Sequence, residues 1–235
     1  GPQVMVLDIS GRTAQLRHAR AAGARLVFSS RAPKLRWKAF RLKWMRLIDE
    51  HWIVFPTFVT GGLTRLERFK LRMHPGYTVR HFDTLFTPSD PGLRAEWLAR
   101  HGLRAGDYAV FVPGGRGEGH RVADPADLFV AAARAFVAET GCTSVVLTGR
   151  REVASDSGLP ELRLMPRIGP DEVQHLLAEA TLVVSNGGTT MIHALAHRRP
   201  VVAVALAGDQ DRRIRRAARL QIAVSARRDP AAIAA

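Results

Sequence analysis

The chain alternates between short unbroken apolar runs and longer stretches in which apolar residues recur every three or four positions. Residues 108–112 (YAVFV), 143–147 (TSVVL), 181–184 (TLVV) and 201–206 (VVAVAL) are runs of the first kind. Short apolar runs bounded by turn residues predict strands buried on both faces. Between them the periodicity is helical, so strand, turn and helix recur about every thirty residues, as βαβ units require. That rhythm predicts an α/β fold with a parallel sheet covered by helices. Upstream, a strand-like run ends at Asp8 and a helix is expected over residues 11–22. The stretch 87–92 (TPSDPG) has turn composition and marks the expected boundary between domains of residues 1–90 and 91–235.

The candidate chemistry sits where these strands end. After the third run comes SNGGTTMIHALAHRRP, residues 185–200, and after the fourth come Gly208, Asp209 and Gln210. Gly187 and Gly188 let the backbone approach a ligand with no Cβ in the way. Thr189 and Thr190 are placed to cap the next helix, whose free N–H groups and positive dipole end suit a diphosphate. Strand-to-helix turns also favour Gly and Thr for structural reasons alone. Two more turns of this kind favour the phosphate reading. Residues 113–120 (PGGRGEGH) carry Gly114, Gly115, Gly117 and Gly119 with Arg116, which can neutralise phosphate charge, and His120; residues 149–150 add Gly149 and Arg150. In an open α/β sheet such turns gather at the carboxyl edge, where nucleotides bind.

Residues 108 to about 224 resemble the GT-B glycosyltransferases, most closely the UDP-sugar-using branch that includes the N-acetylglucosaminyltransferase of lipid II synthesis. The resemblance rests on the order of four elements: the Gly-rich loop within 112–119, Gly187-Gly188-Thr189-Thr190, Arg199-Pro200, and Asp209-Gln210. It implies two Rossmann-like domains, the amino-terminal one incomplete, and a nucleotide-sugar substrate with no cofactor and no metal. It further implies that Gly114, Gly115, Arg116 and Gly117 approach the donor phosphates from one side and Asn186 to Thr190 from the other, with Arg150 nearby. Asp209 and Gln210 would contact the donor sugar, and backbone near Ile168 would recognise the base. In the resembled family a glutamate for the ribose hydroxyls occupies the position of His193, and a phosphate-contacting histidine the position of Asn186. An imidazole offers a hydroxyl one neutral acceptor in place of a carboxylate. Partial packing in the core is the other reading of His193.

The opening Gly1-Pro2 has the form of a protease-cleavage remnant, and the abrupt start leads us to expect that earlier parts of the first domain are missing. Inverting enzymes of the resembled class hold the general base on that domain, where it takes the proton of the attacking acceptor hydroxyl. Asp8, at a strand end, is the available cleft-facing carboxylate; its alternative role is to cap the helix after it. No catalytic base is assigned.

Charge adds a second theme. The 235 residues carry a net charge of +14, and residues 31–80 hold twelve Lys or Arg against Asp49, Glu50 and Glu67. In residues 34–48 (KLRWKAFRLKWMRLI), Trp37, Phe40 and Trp44 recur at helical spacing among Lys34, Lys38 and Arg41, and residues 65–73 (RLERFKLRM) have a similar make-up. A basic helix with an aromatic face fits an anionic membrane interface, although an ordinary amphipathic helix has the same pattern. Nucleic acid is a weaker alternative, since no recognised binding motif is present. No apolar run approaches the length of a membrane-spanning helix. The single Cys142 excludes an internal disulfide and fits a reducing compartment, and the histidines show no paired ligand spacing. The sequence therefore points to a cytoplasmic glycosyltransferase, peripheral on the membrane, serving a lipid-linked or polysaccharide acceptor of the cell envelope. The alternatives are a sugar-nucleotide epimerase or hydrolase, and a non-catalytic basic scaffold or nucleic-acid-binding protein.

Overall fold

A computed structural model describes residues 3–31, 33–114, 125–149 and 158–235, with the side chains of 33 and 34 also outside the description. The chain divides into two units, Gly1–Leu85 and Phe86–Ala235. The division falls ahead of the turn-rich stretch 87–92 because residues 86–90 pack on helices of the second unit. Phe86 lies 5.1 Å and 5.0 Å from the rings of His193 and His197, and Ser89 Oγ lies 2.7 Å from His175 Nδ1.

In the first unit the order is β1 (Val4–Asp8), α1 (Thr13–Ala21), β2 (Arg25–Ser30), α2 (Pro33–Ala39), α3 (Leu42–Met45), β3 (Glu50–Val54), α4 (Thr57–Thr60), α5 (Arg65–Met73) and β4 (Thr78–Phe82). The strands form one parallel sheet in the order β1-β2-β3-β4. Its core gathers Leu16, Leu26, Phe28, Phe40, Trp44 and Tyr77, with Phe28 edge-on to Trp44 at 5.2 Å. The amphipathic pattern over 34–48 therefore does not form one helix with an exposed aromatic face. The backbone turns extended at Arg41, and Phe40 and Trp44 point into the core, where Trp44 Nε1 donates to Thr13 Oγ1 at 3.0 Å.

His51 is enclosed in the same core, 2.8 Å from Ser30 Oγ and 2.9 Å from the Tyr77 hydroxyl. Burial, aided by the nearby charges of Arg36 and His81, pushes its pKa down to about 3. Burial likewise raises the Tyr77 pKa. The trio thus carries no charge near neutral pH, as a satisfied polar cluster inside a core requires.

The second unit runs α6 (Pro91–Arg100), β5 (Tyr108–Val112), α7 (Pro125–Thr140), β6 (Thr143–Gly149), β7 (Leu162–Pro166), α8 (Pro170–Ala178), β8 (Leu182–Asn186), α9 (Thr189–Ala196), β9 (Val201–Val204), α10 (Gly208–Arg219), β10 (Val224–Ala226) and α11 (Pro230–Ala234). Helix starts reflect local chemistry. Asp90 and Asp229 accept from Leu93 and Ala232 amides, each ahead of a proline in the first turn. All six strands are parallel, in the order β10-β9-β8-β5-β6-β7. All five residues of β5 are buried, as a central strand covered on both faces demands.

Candidate functional site

The strand order reverses at β5. The chain steps outward through β6 and β7, returns to the other side of β5, and steps outward again through β8, β9 and β10. At such a reversal the connections leaving neighbouring strands diverge, opening a crevice beyond their carboxyl ends. Here the turns after β5 and β8 meet in that crevice. Gly114 adopts φ +88°, and a Cβ there would lie 2.3 Å from Asn186 Nδ2, so only glycine lets the two turns come this close.

Asn186 ends β8 and is buried, and its Oδ1 accepts from the Gly188 amide at 3.0 Å. Gly187 and Gly188 have no room for side chains: a Cβ would lie 2.8 Å from Ile214 at the first and 2.6 Å from Asn186 Oδ1 at the second. Gly188, not Thr189 or Thr190, is the residue at the helix cap. The two threonines lie inside the first turn of α9, and no side chain at the cap bonds to that turn among the described residues. The expected threonine caps are thus absent, and the Asn186 side chain instead accepts the amide of the cap residue itself, folding the turn back two residues on, as Asn commonly does. The first-turn amides of α9 therefore have no side-chain cap among the described residues.

The turn after β9 supplies Asp209 and Gln210, which the structure treats differently. Asp209 is exposed in the first turn of α10. Gln210 is buried, and its Oε1 accepts from the Leu206 and Ala207 amides at 2.9 and 3.3 Å. The carbonyl expected to meet a ligand hydroxyl is thus holding its own turn.

Arg213, one turn along α10, was not singled out by the sequence. Its Nη1 donates to the Gly187 carbonyl and its Nη2 lies 3.5 Å from Asp209 Oδ2. Its side chain is largely buried, and burial lowers its pKa while the Asp209 charge opposes the shift. Gln174 of α8 was also missed. Its Nε2 lies 3.0 Å from His193 Nδ1 and its Oε1 lies 3.0 Å from His197 Nε2. His193 is half-buried on α9 against Phe86, and burial lowers its pKa. Only their place in the assembled fold marks these two residues, since they act 19 to 26 positions away in sequence.

Ile168 is half-buried between β7 and α8, and the Arg167 amide donates to the Gly149 carbonyl at 2.7 Å, which brings this segment to the end of β6. Gly115, Arg116, Gly117 and Arg150 lie outside the described residues. In the first unit, Asp8 at the end of β1 accepts from Ser29 Oγ and from Arg31 Nη2, each at 2.8 Å. It does not cap α1, whose cap is Arg12 with its amide bonded to Gln15 Oε1. Of the basic aromatic segment, Trp37 alone among the three rings is exposed, with the Arg41 guanidinium 3.9 Å above it. Lys38 Nζ donates to the Gly11 carbonyl at 2.6 Å and lies 4.7 Å from the Trp44 ring. The Lys34 side chain is outside the described residues. Among the described residues, no helix is long and apolar enough to cross a membrane.

The fold is that of the GT-B glycosyltransferases, with Rossmann-like parallel sheets. The glycosyltransferase of kitacinnamycin matches 99% of this chain and 65% of its own at a TM-score of 0.62 and 14% identity. A UDP-glucosyltransferase from Polygonum tinctorium capable of glucosylating indoxyl matches 99% of this chain and 65% of its own, with a TM-score of 0.63 and 12% identity. The UDP-GlcNAc 2-epimerase of Methanocaldococcus jannaschii matches over 98% and 68% of the two chains, with a TM-score of 0.60 and 9% identity. At these identities the likeness is one of fold. The chain spans about two thirds of the length of these structures. No protein-family model and no curated protein sequence matches it.

Proposed function

We propose that this chain binds a UDP-type nucleotide sugar and passes its sugar to a lipid-linked or polysaccharide acceptor at the cytoplasmic face of a membrane. The observation that carries this reading is the contact of Gly114 with Asn186 at the strand-order reversal, beside the uncapped start of α9. A diphosphate seated there meets the first-turn amides, and its charge is stabilised by backbone dipoles as the leaving group departs. Asp209, exposed on the neighbouring turn, takes the sugar hydroxyls, and Gln210 contributes through its amide nitrogen. His193 lies one helical turn further along, on the ribose side. The resemblance of residues 108–224 to the lipid II branch favours the lipid-linked acceptor. Its hydroxyl oxygen attacks the anomeric carbon and gives up its proton to a general base, as the bond to the diphosphate breaks.

The epimerase among the structural neighbours supports a second reading, in which the donor is isomerised or hydrolysed without an acceptor. Calorimetric titration with UDP, GDP, CMP and dTDP tests the site. Selective binding of UDP is expected, and no binding of any of the four would overturn the donor-site reading in favour of a scaffold. Incubation with the UDP-sugar alone then separates the two enzymes: UDP release or a changed sugar without acceptor would establish the second.

A further inference from the structure

The edge of the second sheet at β10 carries groups that the fold leaves unused. β10 pairs in parallel with β9 on one side only, so the backbone N–H and C=O groups along its other side meet no strand. The opposite edge, β7, is guarded by Arg163 and ends at Pro166, whereas β10 has no charge, no proline and no shift in its pairing. The chain enters this edge through the turn that ends α10. There the Gln221 amide donates to the Ala218 carbonyl at 2.9 Å and the Ile222 amide to the Ala217 carbonyl at 3.1 Å, with Gln221 at φ +56°. Leu220, Ile222 and Val224, at and after this turn, are 58%, 40% and 64% exposed. Exposed arginines stand at both ends of the segment, Arg219 before it and Arg227 after it, and no ion pair of either occurs among the described residues. From 212 to 228 the chain holds seven arginines and no acid.

Each of these features narrows what can cover the edge. Another peptide strand meets the backbone groups of a strand edge, and alternate apolar side chains give it a face to pack on. The arginines select acids. A second copy of this chain would bring its own arginines against them, and a nucleic acid would bring phosphates without the backbone partners. A bilayer fails for a related reason, because an open sheet edge finds no hydrogen-bond partners among lipid chains. We infer that the β10 edge takes up an extended acidic segment of a partner protein as an added strand, with apolar residues over Ile222 and Val224 and flanking carboxylates on Arg219 and Arg227. This goes beyond sugar transfer and does not depend on it.

The test is calorimetric titration of the whole chain with the synthetic peptide Glu-Glu-Val-Thr-Val-Thr-Val-Glu-Glu and with the same peptide N-methylated at every valine and threonine. The second peptide keeps all side chains and loses the strand-forming N–H donors. The first is expected to bind at least about tenfold more tightly than the second, and to slow hydrogen exchange of the β10 amides. The Arg219→Glu, Arg227→Glu variant should lose about tenfold or more of the affinity for the first peptide. Both positions are exposed, so its thermal unfolding should match the parent chain, and its UDP titration separates this inference from the donor-site reading. Absence of peptide binding would overturn the proposal, as would equal affinity for the two peptides, unchanged exchange at β10, or full retention of affinity in the double variant. So would anionic vesicles or an oligonucleotide that bind the parent chain more tightly than the peptide does and fail to bind the double variant, because lipid or nucleic acid would then be what the arginines meet.

Discussion

The side-chain oxygen of Asn186 accepts the Gly188 amide at 3.0 Å, so a residue at the end of one strand shapes the start of the next helix. The same side chain sets the limit on its other neighbour, since Gly114 approaches its Nδ2 more closely than any residue with a Cβ can. One buried amide thereby spaces both turns of the crevice.

Replacing Asn186 with Asp tests that role. A carboxylate still accepts the Gly188 amide, so the turn is retained, but an anion now stands beside the seat of the diphosphate. UDP affinity is expected to fall at least about tenfold, equivalent to about 1.4 kcal/mol, by calorimetry. Unchanged affinity would remove Asn186 from the donor site.

Arg213 and Arg215 lie two residues apart on α10 and should differ. Arg213→Met removes the donor to the Gly187 carbonyl and should cost about 1–3 kcal/mol in urea unfolding, with weaker nucleotide binding. Arg215 pairs with Asp211 at the surface, at 2.8 Å, and Arg215→Met should stay within about 0.5 kcal/mol. Similar losses in both would mean that the Gly187 contact contributes nothing.

Two tryptophans seven residues apart form a sharper contrast. Trp44→Ala empties a core position and should destabilise by about 3–5 kcal/mol. Trp37→Ala, at 62% exposure, should change stability by no more than about 0.5 kcal/mol. Chemical denaturation of both variants decides which ring belongs to the core.

Acid should weaken the first unit through His51. Its pKa is about 3 when folded and ordinary when unfolded, so below about pH 6.5 the unfolded chain binds the extra proton. Stability is fully present above that pH and falls toward the folded value by up to about 1.4 kcal/mol per pH unit. In the second unit His193 and His197, also lowered by burial, act in the same direction. His51→Gln should flatten the slope between pH 6.5 and 4 in parallel urea titrations; an unchanged slope would mean that His51 takes no part.

How far such features could be read from the chain depended on their locality. The turns at Gly114, Gly187-Gly188 and Asp209 were legible because each comes after a buried apolar run and consists of residues that serve turns. The orientation of residues 34–48 was not. Periodicity shows that Trp37, Phe40 and Trp44 share helical spacing, but the extended backbone at Arg41 has neither Gly nor Pro to announce it, and it sends two of the rings inward. The capping role of Thr189 failed because α9 already begins at Thr189, with Gly188 in the cap position. Arg213 and Gln174 read as ordinary helix residues until the packing of α8, α9 and α10 is known.

Gln174 has one donating and one accepting end, and it spends them on two imidazoles. As oriented, its nitrogen donates to His193 Nδ1, which places the His193 proton on Nε2, while its oxygen receives the His197 Nε2 proton. A proton gained at His193 Nδ1 turns that nitrogen into a donor, and the amide must then reverse. Reversal presents nitrogen to His197 and requires that ring to move its own proton to Nδ1. The two histidines therefore exchange protonation information through a single neutral side chain, and a ligand that asks His193 to accept instead of donate also rewrites the tautomer of its neighbour one helical turn away.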